Sequence, residues 1–202
     1  SDLTGIHANS AKFINCNFEN SIIQDAIFAS SYVDEKSTFG KKLLSEKNRE
    51  FHSAAMEYKQ IKELYKNSSL HDKADHYQYR EMVAKRKKEK LYNPKRLLSY
   101  IFGDLICKYG TSFIRVLVFS VLFILICGVL YYEYHSLYFH NIPSKVNLLD
   151  SIYFSMVAFT TVGFGDYTSI GPMRFLAASE AFIGASLLSL FTVIVARKLI
   201  RD

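Results

Sequence analysis

Residues 160–166 read Thr-Thr-Val-Gly-Phe-Gly-Asp, "TTVGFGD". Two glycines alternate with a β-branched and an aromatic residue, a carboxylate follows, and the flanks are strongly apolar. The preceding segment Leu148–Thr160 is apolar-rich. Asn147 suits an N-cap, and Asp150 stands three residues on in a capping-box arrangement. Thirteen residues give a helix of about 20 Å, too short to cross a bilayer core of roughly 30 Å. Gly171-Pro172 follows the loop and opens a second apolar run, with Pro172 suited to a first helical turn.

The 202-residue chain is half hydrophobic yet carries a net charge of +6. Those facts are compatible because apolar and charged residues are segregated. Val116–Tyr132 is apolar apart from Ser120, Cys127 and Gly128, and Phe175–Ala196 contains one ionised residue, Glu180. The second run is about 33 Å long as a helix, a full crossing. The first reaches that length if it starts near Phe113, with Arg115 extending to the interface. Two spans are therefore expected. Residues 41–98 hold sixteen Lys and Arg against eight Asp and Glu, whereas Glu133–Asn147 has only Lys145 as a strong base. The positive-inside rule puts both termini in the cytoplasm of a multi-pass protein of the cell (inner) membrane. The first thirty residues lack an apolar signal core, so no cleaved leader is expected. Cys16, Cys107 and Cys127 lie in separate segments without metal-ligand spacing and read as free thiols. No cluster proposes a nucleophile, cofactor or phosphate site, so no enzyme is expected.

A short helix that enters a membrane, then irregular backbone, then a return, is tolerated only where the backbone is covered by protein or lines a water-filled path. The string lacks a charged side chain before Asp166, which leaves backbone carbonyls as the pore-facing groups. Aiming successive carbonyls at one axis requires positive φ at intervals, and Gly163 and Gly165 supply it without Cβ strain. One such loop cannot enclose a pore. Four copies make rings of carbonyls that replace the hydration shell of a cation, which implies a homotetramer.

The stretch 151–166, "SIYFSMVAFTTVGFGD", resembles the pore helix and selectivity filter of potassium channels, with TVGFG matching the TVG(Y/F)G filter at every position. The resemblance implies potassium sites at Thr161, Val162, Gly163 and Phe164, with Gly165 completing the outer mouth and Asp166 tethering the filter to the pore helix. Many relatives use a Trp as the partner of that tether. This chain has none, leaving Tyr153 as the donor, since Phe154 has no hydroxyl. Val157 stands where some bacterial members carry a Glu. The run 180–197, "EAFIGASLLSLFTVIVAR", is similar to the inner helix of two-span, inward-rectifier-like bacterial channels. By that resemblance Glu180 packs behind the filter. Gly184 is either a hinge or a close-packing site. Steps of one turn from Gly184 give Leu188, Thr192 and Ala196 as cavity or gate residues.

The N-terminus repeats every five residues: SDLTG, IHANS, AKFIN, CNFEN, SIIQD, AIFAS, SYVDE. The third position is apolar and often large, and the first is usually small. This period suits neither helix nor flat strand but fits a solenoid with corners every five residues. It resembles the pentapeptide-repeat family, which implies a four-sided β-helix over under two coils. Some relatives mimic DNA, but the basic charge here argues against a nucleic-acid role. Residues 41–93 read as a helical hairpin broken at Asn67-Ser68-Ser69 and ended by Pro94. The run Lys85–Lys90 is either an anionic-lipid contact or an ordinary solvated face. Residues 94–111 predict an interfacial helix with Leu97, Leu98, Ile101, Leu105 and Ile106 on one side.

The expected fold is thus a mainly α membrane protein. It has a pentapeptide-repeat β-helix over 1–40, a hairpin over 41–93, an interfacial helix over 94–111 and a tetrameric two-span pore domain over 112–202. Within the last, an outer helix is expected over 112–132, a pore helix over 148–160, the filter over 161–165 and an inner helix over 172–198. The expected function is passive potassium conduction across the lipid bilayer. The alternatives are a weakly selective cation channel of the same architecture and a membrane-anchored scaffold acting through its N-terminal part.

Overall fold

The computed structural model describes residues 2–90, 92–140, 142–143 and 146–201, so Lys145 lies outside the described residues. The chain divides into two units, Ser1–Thr111 and Ser112–Asp202.

The first unit begins as a coil. Gly5, Ser10, Asn15, Asn20, Asp25 and Ser30 all have left-handed φ, one in every five residues. Each turns the chain, and Asn, Asp and Gly are the residues that tolerate this conformation best. The chain then meets itself in parallel at an offset of twenty, Asp2 beside Ile22 and His7 beside Ile27. Strands β1 (Lys12–Phe13) and β2 (Tyr32–Val33) continue the ladder. The next bridge joins Asn17 to Thr38, an offset of twenty-one. One residue is inserted there, which moves the small and large inward positions to Ser37 and Phe39, both fully buried. Inside, Phe13 meets Phe18 and Phe28 edge-on, and Phe18 stacks on Phe39 at 4.8 Å. The hydroxyls of Ser31 and Ser37 accept the backbone N–H groups of Ala11 and Cys16, so the small position satisfies the backbone of the coil below.

A short α1 (Leu44–Lys47) leads into α2 (Phe51–Asn67) and α3 (His71–Lys88). These pack antiparallel around Ala54, Tyr58, Ile61, Tyr65, Ala74 and Tyr77, and the same cluster takes in Phe39 and Val33 of the coil. Tyr65 stacks on Tyr77 at 5.3 Å and donates its hydroxyl to the Ser37 carbonyl at 2.9 Å.

The basic run of α3 is engaged within the unit. Lys85 reaches Glu81 at 2.5 Å, Arg86 reaches Asp104 at 2.7 Å and Lys87 reaches Glu46 at 2.9 Å. These side chains compensate buried acids, which the charge run alone did not reveal. Burial by itself would raise the Glu46 and Glu81 carboxyls. The Tyr58 hydroxyl and Lys87 on Glu46, and Lys62 and Lys85 on Glu81, outweigh burial and hold both below the ordinary value. Each therefore contributes stability above the unfolded value near 4.5, and that stability is lost as pH falls through the lower folded value. Amide protection in α2 and α3, followed by hydrogen exchange on the full chain, is expected to drop between about pH 5 and pH 3. Glu81→Gln should flatten that drop, and an unchanged pH slope in the variant would contradict the assignment.

Asn93 caps α4 (Pro94–Leu98), and the chain then winds as a π-helix over Ser99–Ile106. The interfacial helix expected to run to residue 111 ends here, because Lys108, Tyr109 and Gly110 all turn left-handed. The Tyr109 ring folds over Gly103, where an added Cβ would sit 2.4 Å from the ring. The wider winding also shifts the apolar face. Leu97, Leu98, Ile101, Phe102 and Leu105 are exposed, while Ile106 is buried, so Phe102 replaces Ile106 in the expected strip.

The second unit contains α5 (Phe113–Glu133), β3 (Leu137–Phe139), β4 (Ile142–Pro143), α6 (Leu148–Phe159), β5 (Tyr167–Ser169) and α7 (Met173–Arg201). Helices α5 and α7 are long and apolar enough to cross a membrane, and only 17% and 22% of their apolar windows are buried. A helix of a water-soluble core would be mostly buried, so these two present apolar surface outward, as membrane spans do. Helix α6, at about 18 Å, packs between them. The three strands form a small antiparallel sheet ordered β4-β3-β5.

Candidate functional site

The loop 160–166 begins where α6 runs out. Thr161 N–H still reaches back to the Ala158 carbonyl at 3.0 Å, and Val162 N–H to that of Val157 at 3.2 Å. Beyond this the backbone alternates in hand: φ is +57° at Thr161, +61° at Gly163 and +80° at Gly165. The glycines are the positions at which positive φ was expected. Thr161 adds a third that its β-branched side chain gave no reason to expect. Val162 and Phe164 do not share the left-handed conformation, and their side chains are exposed in the single chain. Alternation of this kind brings successive peptide carbonyls to one side of the strand, so the loop offers a row of oxygen ligands suited to a hard cation.

Both ends of the loop are held. At its C-terminal end β5 follows at once and pairs with β3, placing Phe139 opposite Tyr167. His140 N–H donates to the Asp166 carbonyl at 2.9 Å, and Ile170 N–H to that of Ser136 at 2.9 Å. Tyr153 of α6 faces the Asp166 carboxylate, and its ring meets Tyr167 at 6.0 Å. The sheet was not foreseen, because its strands of two or three residues are too short to register as alternation. At its N-terminal end the loop stays tied to α6 by those Thr161 and Val162 N–H bonds, and at the far end of α6 the Asn147 N–H donates to the Asp150 carboxylate at 3.1 Å, closing the first turn.

Behind the loop, α5, α6 and α7 meet at Glu180, which is completely buried. Its Oε2 accepts the Tyr131 hydroxyl at 2.7 Å, and its Oε1 meets the Ser155 hydroxyl. Ser155 Oγ also lies 2.9 Å from the Ile124 carbonyl. One carboxyl thus joins all three helices. Val157 is buried on α6 and supplies no second carboxylate there.

Two glycines set the spacing of these helices. A Cβ on Gly184 would fall 2.0 Å from the Phe159 carbonyl oxygen, and one on Gly128 would fall 2.9 Å from the Ile152 Cα. Gly184 therefore belongs to the packed face of α7, with Glu180, Leu187 and Ile194. Leu188, Thr192 and Ala196 differ from it in being exposed in the single chain, although they continue from Gly184 by whole turns. The Thr192 hydroxyl donates to the Leu188 carbonyl at 2.9 Å, which leaves its oxygen lone pairs outward.

Residues 116–201 match the model of a family described as "Ion channel". The match takes in α6, the loop and nearly all of α5 and α7, and lies wholly within the second unit. No curated protein and no solved structure matches the chain.

Proposed function

We propose that the chain is the subunit of a potassium-selective channel, in which four copies of the loop 161–165 line a passive pore. The observation that carries this reading is the alternation of left-handed φ at Thr161, Gly163 and Gly165, in a loop between a half-length helix and a spanning one. In the proposed tetramer the carbonyls of Thr161, Val162, Gly163 and Phe164, with the Thr161 hydroxyl, compensate the dehydration of K+. Neighbouring ions repel, and the queue moves down its electrochemical gradient. Asp166, Tyr153 and Glu180 hold the filter's frame, and Leu188, Thr192 and Ala196 face the inner cavity. No cofactor enters beyond K+ as permeant ion. Both termini lie on the cytoplasmic side of the cell membrane, and the N-terminal coil is a pentapeptide-repeat β-helix.

The test is the reversal potential of the purified protein in a planar bilayer with potassium on one side and sodium on the other. The expected value lies close to the potassium equilibrium potential, with block by barium. A value near zero would reject selectivity and leave a general cation pore. A silent protein is retested as Leu188→Ala, and continued silence rejects the channel reading. Gly163→Ala places a side chain at positive φ, at a cost of roughly 1–2 kcal/mol in each copy. It is expected to abolish selective current with only a modest fall in the thermal midpoint, and full K+ selectivity in the variant would contradict the carbonyl filter.

A further inference from the structure

The buried acids of the first unit divide into two kinds. Glu46 has Lys87 and Arg80, Glu81 has Lys62 and Lys85, and Asp104 has Arg86. Glu57 is equally buried, at 5% exposure, and among the described residues it has no cation. Its Oε2 accepts the Ser45 hydroxyl at 2.7 Å, and among the described residues no hydrogen bond reaches its Oε1. Burying a carboxylate without a counter-charge is costly, and the fold supplies one to every comparable acid nearby.

Glu57 lies where two cavities meet. One, of about 450 Å³, is lined by Ile23, Asp25, His52, Met56 and Glu57, among others. The other, of about 190 Å³, is lined by Ser45, Asn48, Glu50 and Glu57, among others. Neither contains a Lys or Arg, in a unit rich in both. Lys88 approaches the rim only through His52, at 3.3 Å, and is not part of the lining. Asp25 and Glu50 are close enough to act on Glu57. Burial first, then these two carboxylates, hold its carboxyl above the ordinary value. The larger cavity falls in the size range of small-ligand sites. Among the described residues no group of three His, Cys, Asp or Glu could hold a metal ion. Ile27 and Met56, both exposed, instead give the cavity an apolar wall beside its acidic floor.

We propose that the cavity over Glu57 binds a small organic ammonium ion, its N–H groups on Glu57 Oε1 and its apolar body against Ile27 and Met56. The ammonium supplies the counter-charge that Lys or Arg supplies to Glu46, Glu81 and Asp104. Asp25 and Glu50 add a long-range attraction. This site is independent of the pore reading, because it lies in the first unit and is read by binding rather than by current.

The test is calorimetric titration of the detergent-solubilised full chain with n-butylammonium chloride, at constant ionic strength. One saturable site per chain is expected, and tetramethylammonium, which has no N–H, should bind more weakly. Glu57→Gln keeps the shape and removes the charge. It should weaken butylammonium by roughly tenfold or more. Glu63→Gln, on the exposed side of α2, should leave binding unchanged. If Glu57→Gln fails to fold, Ser53→Lys decides, because a tethered ammonium in the cavity should compete with the added one. The absence of saturable heat with folded wild type overturns the proposal. So does equal binding of the two cations, or butylammonium binding that neither variant weakens.

Discussion

Gly184→Ala is expected to disable the second unit. The added methyl would stand 2.0 Å from the Phe159 carbonyl oxygen and 2.8 Å from its carbon, both backbone atoms at the end of α6. No rotamer change relieves such a contact, so α7 must move away from α6. The movement would draw Glu180 away from Ser155, and it would displace the helix end from which the loop 160–166 departs. Overpacking usually costs about 1–3 kcal/mol, and a clash with backbone belongs at or above the upper end. The expected result is a thermal unfolding midpoint well below wild type and no ion flux in proteoliposomes. Gly128→Ala, whose methyl would meet Ile152 Cα and Cγ1 at 2.9 Å, should be damaged less, since part of that contact is a side chain. If Gly184→Ala keeps wild-type stability and only its opening changes, Gly184 is a hinge and the packing account is mistaken.

Glu180→Ala is the second variant with a large expected effect. It removes the acceptor of the Tyr131 hydroxyl and the partner of Ser155, and it leaves a void where three helices meet. An unsatisfied buried hydroxyl costs about 1–3 kcal/mol, and truncating a large buried side chain adds a term of similar size. Ser155 retains the Ile124 carbonyl at 2.9 Å, so the larger hydroxyl loss falls on Tyr131. The detergent-solubilised protein should unfold at markedly lower temperature, and ion flux should disappear with it. Glu180→Gln keeps one acceptor oxygen for Tyr131 and should recover most of the stability. Tyr131→Phe in the Glu180→Ala background removes the orphaned hydroxyl and should regain part of the loss. If Glu180→Ala unfolds like wild type, the carboxyl is not what joins α5, α6 and α7.

Much of this molecule was legible because its patterns are local. The period of five over residues 1–35 announced a corner in every unit, and the structure turns at Gly5, Ser10, Asn15, Asn20, Asp25 and Ser30. The break at Asn67-Ser68-Ser69 falls between α2 and α3, whereas α3 already ends at Lys88 and Pro94, expected to stop the hairpin, opens α4 instead. The apolar runs after Phe113 and Pro172 became two long helices, because nothing else satisfies backbone groups in a bilayer. The glycines of TVGFG marked two left-handed positions, Gly163 and Gly165, and both are left-handed in the structure.

What escaped the sequence depends on contacts between distant residues. The spacing of Lys85–Lys90 could not show that Arg86 and Lys87 are committed to Asp104 and Glu46, since those pairs close only when α3 packs. The sheet that holds Asp166 is built from strands too short to carry a period. Gly184 has the same local setting whether it bends or packs, and only the Phe159 carbonyl decided for close approach. Glu57 looked like one more charge on a helical hairpin, until the coil closed over α2 and left it lining a cavity. Sequence by itself determined the elements and their order, because period, caps and breakers act over a few residues. Tertiary structure decided which charges are compensated, which glycine is a contact and how the loop's ends are held, because a buried group's energy depends on what is brought against it.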